Sequence, residues 1–369
     1  MKKNIALVTW LGGGNYGTSL QSYALHKKLE LLGYHPYFLH YFRRPFDWKA
    51  YIKYLLRLLG CSFLLQRNRK KGVKYDKLHT FQQKEYNHLY VGTERQYREL
   101  LKKIDVFLTG SDQIWNTYYR YNPFNFLDFV QGKKMVAYAS SIGATSVPEE
   151  YTLSVKTHLQ QFDHIGVREE SAVKVLAELT GRTDIVQVLD PTFLLTADEW
   201  RGMGHGAVFE FQLPSRYMLC YLIGNNERYV REVEDIKTRL GIENIIIVPS
   251  EENPDFMIDG AFVYQNAGPV EFVSLIDNAS VVCTDSFHAS AISINLGKPF
   301  VELLRFNDSD KASQNARIYD LLGHYHLEGR LYAPDKEDWL ATIDYSAAQE
   351  ILSEDREKSL DYLVSSIEK

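Results

Sequence analysis

The sequence has little of what a secreted, zinc-binding or membrane-spanning protein needs. Only three cysteines occur in 369 residues, and no CxxC pair is present, which argues against a disulfide framework and a cysteine zinc site. No apolar run approaches the ~20 residues that a membrane helix requires. The apolar start of the chain is too short for a signal peptide, so we expect a cytoplasmic protein.

Several catalytic signatures are also missing. The sequence contains no P-loop, no GxSxG elbow and no HExxH pair, and its eleven histidines are scattered. These absences argue against P-loop nucleotide hydrolysis, serine esterase chemistry and metalloprotease chemistry, and we expect no metal site. What is present is an ordinary globular composition, with 45% hydrophobic and 24% charged residues, long enough for about two domains.

Positive charge is concentrated in one segment. Residues 43–84 hold twelve lysines and arginines against two aspartates, although the whole chain carries a net charge of -5. Apolar residues at helical spacing, beside Lys49, Lys53 and Arg57, predict a basic amphipathic helix followed by a basic tether. Two interpretations stay open: a solvated surface helix, or peripheral contact with an anionic membrane or lipid phosphate. Because the rest of the chain is acidic, we expect no nucleic-acid partner.

Short apolar runs alternate with helical segments along most of the chain. The pattern starts at IALVTW and begins again at YMLCYLIG, after LDPTFLL. Such alternation is typical of parallel sheets covered by helices on both faces. We therefore predict an α/β fold with two doubly wound, Rossmann-like lobes and one cleft between them. The expected boundaries are 1–190 with the basic insertion, 191–343, and a helix over 344–369 that packs back on the first lobe.

Unusual polar clusters follow the predicted strands, where ligands bind in open α/β sheets. The glycine loop GGGNYGTS follows the first strand, and Gly12, Gly14 and Gly17 match GxGxxG. The second strand ends in HYFRR without the carboxylate that a dinucleotide site requires. The loop is therefore either a tight turn or a close approach to another ligand, with Asn15 and Thr18 supplying hydrogen bonds.

Two basic side chains stand at such strand ends. Arg168 lies at the start of a helix, where the helix dipole favours negative side chains, so it either binds a ligand anion or forms an internal ion pair. Glu169 and Glu170 suit a helix start and are expected to be structural. His288 lies in the first turn of another helix, where it either fills a pocket or transfers a proton near neutral pH. Ser286 either caps that helix or contacts a phosphate.

Three further residues carry paired interpretations. Asp112 and Asp285 are each either a helix cap or a functional carboxylate, which serves as a base or orients a sugar hydroxyl. Trp115 either offers a flat face on which a sugar stacks or belongs to the core.

Six ordered motifs then resemble the polysaccharide pyruvyl transferase family over residues 4–305. They are GNYGTSLQSYAL, GSDQIWN, YASSIG, VREESAV, LDPTFLL and TDSFHASAISINLGKPFV. The resemblance implies a GT-B-like arrangement of the lobes. It also implies transfer of a pyruvyl group from phosphoenolpyruvate to hydroxyls of a cell-surface polysaccharide precursor, such as exopolysaccharide or capsule, with phosphate released. The family's donor-binding arginine and histidine match Arg168 and His288. Many relatives have aspartate in place of Thr18, and others read RLH or RFH where this chain has SFH.

We accordingly predict a transferase with phosphoenolpyruvate as donor, a sugar or lipid-linked oligosaccharide as acceptor, and no required cofactor. The predicted catalytic residues are His288, Arg168 and Asp112. The predicted donor contacts are Arg168, Ser286, Phe287, His288 and Arg305. The predicted acceptor contacts are Gly14, Asn15, Thr18, Asp112, Gln113 and Trp115. The alternatives are a nucleotide-sugar glycosyltransferase of GT-B type and a non-catalytic protein that binds an anionic metabolite.

Overall fold

The structure, a computed structural model, describes residues 2–41, 52, 55–56, 72–308 and 313–369. These residues divide into two compact units, each with its own parallel sheet. The N-terminal unit takes its residues from 1–10, 25–188 and 362–369. The C-terminal unit takes its residues from 11–24 and 189–361.

The sheet of the N-terminal unit has seven strands in the described part of the chain, in the order β3-β2-β1-β4-β5-β6-β7. The strands are β1 (Asn4–Val8), β2 (His35–Tyr41), β3 (His88–Val91), β4 (Val106–Thr109), β5 (Lys134–Ser140), β6 (His164–Val167) and β7 (Ile185–Gln187). All of these strands pair in parallel, with Ile5 opposite Val106 in the centre of the sheet. The central strands are buried, as expected for apolar runs without alternation.

Helices connect these strands, and local sequence fixes several of their ends. They are α1 (Tyr16–Leu31), α2 (Val73–Glu85), α3 (Glu94–Lys103), α4 (Thr117–Arg120), α5 (Glu149–Leu159) and α6 (Glu170–Thr180). Thr93 and Gln96 form a capping box at the start of α3, which satisfies backbone donors that have no intrahelical acceptor. Gly181, with φ of 76°, ends α6 in the left-handed conformation that glycine adopts readily.

The sheet of the C-terminal unit has the order β10-β9-β8-β11-β12. Its strands are β8 (Tyr217–Tyr221), β9 (Asn244–Ile247), β10 (Phe262–Val263), β11 (Val281–Thr284) and β12 (Phe300–Glu302). Its helices are α7 (Ala197–Gly204), α8 (Arg228–Leu240), α9 (Pro269–Asn278), α10 (Phe287–Leu296) and α11 (Ala316–His324); α12 (Ser346–Glu368) ends the chain. In both sheets the strand order reverses beside the first strand, so the predicted α/β fold with two doubly wound sheets is confirmed.

Two helices run from one unit into the other, at places that the predicted boundaries do not mark. The start of α1 groups with the C-terminal unit, where the Tyr16 ring stacks on Phe272 at 4.5 Å and its hydroxyl donates to the Ala267 carbonyl at 2.7 Å. The end of α12 groups with the N-terminal unit, where the Tyr362 hydroxyl donates to the Ala137 carbonyl at 3.0 Å. A side chain at Gly166 would collide with the Tyr362 ring, so glycine permits this packing.

Most of the predicted basic helix in residues 43–84 lies outside the described residues. Part of the predicted tether is wrong, because α2 begins at Val73. Leu78 and Phe81 are buried on one side of α2, which gives this charged segment an apolar anchor. Neither α2 nor any other helix among the described residues is long and apolar enough to cross a membrane.

Candidate active site

The site in the C-terminal unit forms where β8 and β11 lie side by side and the strand order reverses. Asp285, directly after β11, accepts hydrogen bonds from the backbone N–H groups of Ile223 and Gly224, both at 2.7 Å, and from the Tyr229 hydroxyl at 2.7 Å. Burial, with Asp285 adding to it, holds the pKa of the Tyr229 phenol well above its usual range. These bonds join two strand ends, so the geometry fits the structural interpretation of Asp285.

Arg305 lies against this junction. Its Nη2 donates to the Asp285 carbonyl at 3.0 Å, and its Nε lies 3.4 Å from the Asp285 carboxylate. A Cβ at Gly224 would stand 2.8 Å from the Arg305 side chain, so the absent side chain makes room for the arginine. The Arg305 side chain is 23% exposed, which leaves a cation accessible at the carboxyl edge of the sheet.

Helix α10 begins at the same edge. Ser286 is its N-cap residue, and the Ser286 side chain makes no capping hydrogen bond. The Ser286 N–H donates to the Thr284 hydroxyl at 3.1 Å, and the Ser286 carbonyl accepts from the N–H and the hydroxyl of Ser290. The first N–H groups of a helix have no intrahelical acceptor and carry partial positive charge. This helix start therefore has the polarity that binds phosphate or carboxylate.

His288, in the first turn of α10, is held between two other segments. Its Nε2 lies 3.5 Å from Oδ2 of Asp190, which is ion-pair distance but long for a hydrogen bond. The Asp190 side chain is fully buried, and its Oδ1 accepts from the N–H and the hydroxyl of Thr192 at 3.0 and 2.8 Å. Phe287 contacts the imidazole edge-on, with ring centroids 5.4 Å apart. A fixed carboxylate at this distance orients an imidazole for proton transfer once the pair tightens into a hydrogen bond, as catalytic pairs do when substrate binds.

The glycine loop reaches the same histidine. A Cβ at Gly17 would lie 2.5 Å from Nδ1 of His288, so only glycine allows the start of α1 to approach the ring this closely. A Cβ at Gly14 would collide with the end of the flexible Glu251 side chain, and Oδ1 of Asn15 accepts from the Thr18 N–H at 3.2 Å. The starts of two helices, α1 and α10, therefore meet at one imidazole. Sequence reasoning assigned this loop to the acceptor, whereas the structure groups it with the predicted donor residues.

A buried acid lies behind the start of α10. Glu302, in β12, accepts a hydrogen bond from the Ser290 hydroxyl through Oε2 and is fully buried. Among the described side chains, its Oε1 is a buried oxygen without a hydrogen-bond partner. Burial raises the pKa of Glu302 to about 8, so this carboxyl keeps its proton at neutral pH.

The N-terminal unit has a corresponding point, where β1 and β4 lie side by side. Asp112, in the loop after β4, has a φ of 63° and accepts from the Gln113 N–H through Oδ1 at 2.9 Å. The Asn116 side chain donates to the Gln113 amide oxygen at 2.6 Å. A Cβ at Gly143 would lie within 2.6 Å of both amide side chains, which explains how the motifs GSDQIWN and SSIG fit together.

Hydrogen bonds link the ends of β4, β5 and β6. The Ser141 N–H donates to the Asp112 carbonyl at 3.0 Å, and the Ser141 hydroxyl donates to Oε1 of Glu169 at 2.7 Å. The same Glu169 oxygen accepts from Nε of Arg168 at 2.9 Å. The Arg168 side chain is 3% exposed in this ion pair, so Glu169 orients the guanidinium in addition to starting a helix. A donor contact by Arg168 stays a prediction.

Trp115 differs from its predicted role as a sugar contact. It is 2% exposed, its ring stacks on Phe126 at 5.3 Å, and its Nε1 donates to the Asn125 carbonyl at 3.0 Å. A ring buried on these sides offers no open face to a sugar. These surroundings fit the core interpretation of Trp115. The sequence did not reveal this burial, because the aromatic packing beneath the loop involves residues that are not its neighbours along the chain.

The structure thus forms two groups of predicted residues. The C-terminal unit brings together Gly14, Asn15, Thr18, Ser286, Phe287, His288 and Arg305. The N-terminal unit contains Asp112, Gln113, Trp115 and Arg168. Sequence reasoning missed the contact between Asp190 and His288. A signal was present, because Asp190 belongs to the motif LDPTFLL, but nothing in the sequence paired it with a residue almost a hundred positions away.

Several solved structures are similar to this chain over most of its length. A UDP-GlcNAc 2-epimerase from Neisseria meningitidis, solved bound to UDP-GlcNAc, is similar over 99% of this chain and 100% of its own, with 9% identity and a TM-score of 0.50. A UDP-GlcNAc 2-epimerase from Methanocaldococcus jannaschii covers 95% of this chain and 93% of its own at 14% identity, with a TM-score of 0.48. A glycosyltransferase from Streptomyces nogalater covers 99% and 100% at 10% identity, with a TM-score of 0.48. At such identities the likeness concerns the fold alone.

The family is established by sequence. None of the curated proteins compared with the chain matches it. The family model for polysaccharide pyruvyl transferase matches residues 15–304, which contain the glycine loop from Asn15 onward, Arg168, Asp190 and His288. This match confirms the predicted resemblance, and the chain belongs to the polysaccharide pyruvyl transferase family of transferases.

Proposed function

We propose that the protein transfers the pyruvyl group of phosphoenolpyruvate to two hydroxyls of a sugar in a cell-surface polysaccharide precursor. The observation that carries this proposal is the meeting of two helix starts at His288, with the buried Asp190 carboxylate 3.5 Å from its ring. The chain that holds this arrangement belongs to the polysaccharide pyruvyl transferase family. Helix starts favour anions, and phosphoenolpyruvate carries a phosphate and a carboxylate.

The proposed donor contacts follow from this polarity. The phosphate binds at the Ser286 hydroxyl and the first N–H groups of α10, and Arg305 supplies the compensating positive charge. The N–H groups at the start of α1, beside Gly17, contribute further positive potential. Arg168 is the family's expected donor contact, and Glu169 keeps its guanidinium in one orientation.

In the proposed reaction, His288 donates a proton to the methylene carbon of the donor. The neighbouring carbon, which bears the phosphate, becomes electrophilic, and a sugar hydroxyl adds to it and loses its proton. The bond from that carbon to the phosphate oxygen then breaks, and a second sugar hydroxyl takes the place of phosphate and gives its proton to His288, which restores the acid; the proton of the first hydroxyl leaves with phosphate. The products are a cyclic ketal and inorganic phosphate. No electrons are gained or lost, so the balanced reaction requires no redox cofactor.

Asp112 is the proposed group that accepts the hydroxyl proton in the N-terminal unit. Asp112 is 6% exposed, and one of its carboxylate oxygens accepts from the Gln113 N–H, which fixes the direction of the carboxylate. We also propose that the protein acts in the cytoplasm, where thiols stay reduced. Cys220 and Cys283 face each other on neighbouring strands as free thiols, in keeping with such a compartment.

The test is incubation with phosphoenolpyruvate and a panel of lipid-linked and free sugars, followed by phosphate release and mass spectrometry. We expect phosphate release that depends on a sugar, with one pyruvyl ketal on the product. Calorimetry in parallel compares phosphoenolpyruvate with UDP-GlcNAc. Binding of UDP-GlcNAc alone would favour a nucleotide-sugar glycosyltransferase, and donor binding without turnover on any sugar would favour a non-catalytic binding protein.

A further inference from the structure

The carboxyl edge of the N-terminal sheet carries exposed aromatic rings that the proposed reaction does not use. Tyr118 and Tyr119, in α4 just after the β4 loop, are 60% and 78% exposed. Trp10, two residues beyond β1, is half-buried, and its ring centroid lies 6.2 Å from that of Tyr119 at an interplanar angle of 63°. We call Trp10, Tyr118 and Tyr119 the aromatic platform. It lies beside the point where the strand order of this sheet reverses.

The backbone beneath the platform is held in place. The Tyr119 N–H donates to Oδ1 of Asn116 at 3.1 Å, and the same Asn116 side chain is bonded to Gln113. The Tyr118 hydroxyl and the Ser146 hydroxyl are 2.7 Å apart, in hydrogen-bond contact. A ligand that stacks on these rings therefore orders little additional chain, which lowers the entropic cost of binding.

Aromatic rings in this setting suit one class of ligand. The face of an aromatic ring carries partial negative charge, and one face of a pyranose presents C–H groups with partial positive charge. Contiguous exposed apolar surface marks binding sites, whereas single exposed apolar side chains are ordinary. The three platform side chains carry no formal charge, so they favour a neutral sugar ring over an anionic ligand.

We propose that the aromatic platform is a carbohydrate subsite in which Tyr119 stacks on a pyranose ring of the acceptor. This inference rests on the proposed function, because it supplies the sugar-binding part of the same reaction. It moves the predicted aromatic sugar contact from Trp115, which is buried, to residues three and four positions later, in α4.

The test is saturation-transfer NMR of the full chain with glucose, galactose, mannose and N-acetylglucosamine and their β-linked disaccharides, without phosphoenolpyruvate. We expect transfer to the C–H protons of one sugar face. Tyr119→Ala should weaken this binding about tenfold, whereas Tyr119→Phe should retain it because the ring remains. Leu153→Ala is the matched control, since Leu153 is 76% exposed in the same unit but lies in α5.

Calorimetry with phosphoenolpyruvate on the same variants separates this proposal from the reaction. Unchanged donor affinity in Tyr119→Ala is expected. The subsite is refuted by absence of saturation transfer to every sugar in the native chain, or by equal transfer in Tyr119→Ala, even if the donor binds. Sugar binding that requires the Tyr119 ring, in a chain that does not bind phosphoenolpyruvate, supports the subsite and contradicts the proposed function.

Discussion

The two sheets have the same strand order around their first strand, yet their carboxyl edges carry different chemistry. In the C-terminal unit this edge holds two pairs of a basic side chain and a carboxylate, Arg305 with Asp285 and His288 with Asp190. In the N-terminal unit the corresponding edge carries aromatic rings and neutral amides, chiefly Tyr119 and Gln113. The Arg168 ion pair of that unit stands farther along its sheet, after β6.

Under our proposals, this difference lets one architecture bind two kinds of ligand. Both edges receive the ends of parallel strands, so topology alone predicts a ligand at each. An anionic donor needs helix starts and paired charges, whereas a neutral sugar needs flat apolar faces and amide hydrogen bonds. Under our proposals, the C-terminal edge binds phosphoenolpyruvate and the N-terminal edge binds the acceptor. Substitutions at each edge should then affect different steps.

The largest effect is expected from removing the imidazole. His288→Ala should lower kcat by about 10²–10⁴-fold, because proton donation to the donor carbon is lost. Steady-state kinetics with phosphate release measures this. His205→Ala is the control, since His205 is an exposed histidine of the same unit. A His288→Ala variant that folds normally by circular dichroism and keeps native turnover would show that His288, at the carboxyl edge of the C-terminal sheet, takes no part in the reaction.

Asp190→Asn should have the next largest effect. The amide keeps the oxygen that accepts from Thr192 but removes the negative charge beside His288, so this variant tests positioning with little change in packing. We expect kcat to fall by at least ~10-fold, within the ~10⁴-fold that an orienting carboxylate contributes in a Ser-His-Asp triad.

Thermal stability distinguishes this role from a structural one. A positioning role predicts a reduced kcat with an unchanged melting temperature in Asp190→Asn. A kcat that falls only together with the melting temperature would mean that Asp190 acts only through the fold. Thermal unfolding of the same samples reports any loss of packing.

Gly17→Ala should lower kcat by a smaller factor, and it tests whether the glycine loop helps to position His288. The new methyl would stand 2.5 Å from Nδ1 of His288, so the ring must shift. Misplacing a catalytic group by about 1 Å costs on the order of 10²-fold in rate, and we expect ~10–10²-fold here. Gly13→Ala is the matched control, because nothing lies within 4 Å of a Cβ at Gly13. Equal kinetics in the two variants would mean that the glycine loop is only a tight turn and does not position His288.

The sequence predicted the strongest elements of this fold because their signals are local. Central strands are continuous apolar runs, and helices such as α6 and α10 end at glycines that adopt positive φ. The edge strands β3 and β10 were missed. Both pair on one side only, and most of their residues remain partly or fully exposed, so neither has the apolar run of a central strand.

The site divides in the same way. Residues at strand ends, such as Ser286 and His288, were predicted because topology fixes where strands end. The pairing of His288 with Asp190, and the burial of Trp115, depend on contacts between distant segments, which spacing along the chain does not reveal. The exposed Tyr119 was missed for the converse reason, since nothing local distinguishes it from the buried tryptophan four residues earlier.

The smallest effect on the reaction, and the clearest on stability, is expected at Glu302. Its pKa is about 8 in the folded chain and near 4.5 when unfolded, so between these values folding takes up a proton. The free energy of unfolding should therefore fall as pH rises from about 4.5 to 8. Glu302→Gln keeps an oxygen to accept from Ser290 and has no proton to lose, so this part of the pH dependence should disappear.

Urea unfolding across this pH range measures the difference. Near pH 4.5 the variant and the native chain should be similar in stability, and at pH 8 Glu302→Gln should be more stable by roughly 2–4 kcal/mol. Glu234→Gln, at an exposed glutamate of α8, should leave the native pH dependence unchanged. Parallel curves for native and Glu302→Gln chains would show that Glu302 is ionised in the folded state. The start of α10 would then have a negative charge behind it, which weakens an anion site, and the assignment of the donor to this edge would lose its electrostatic basis.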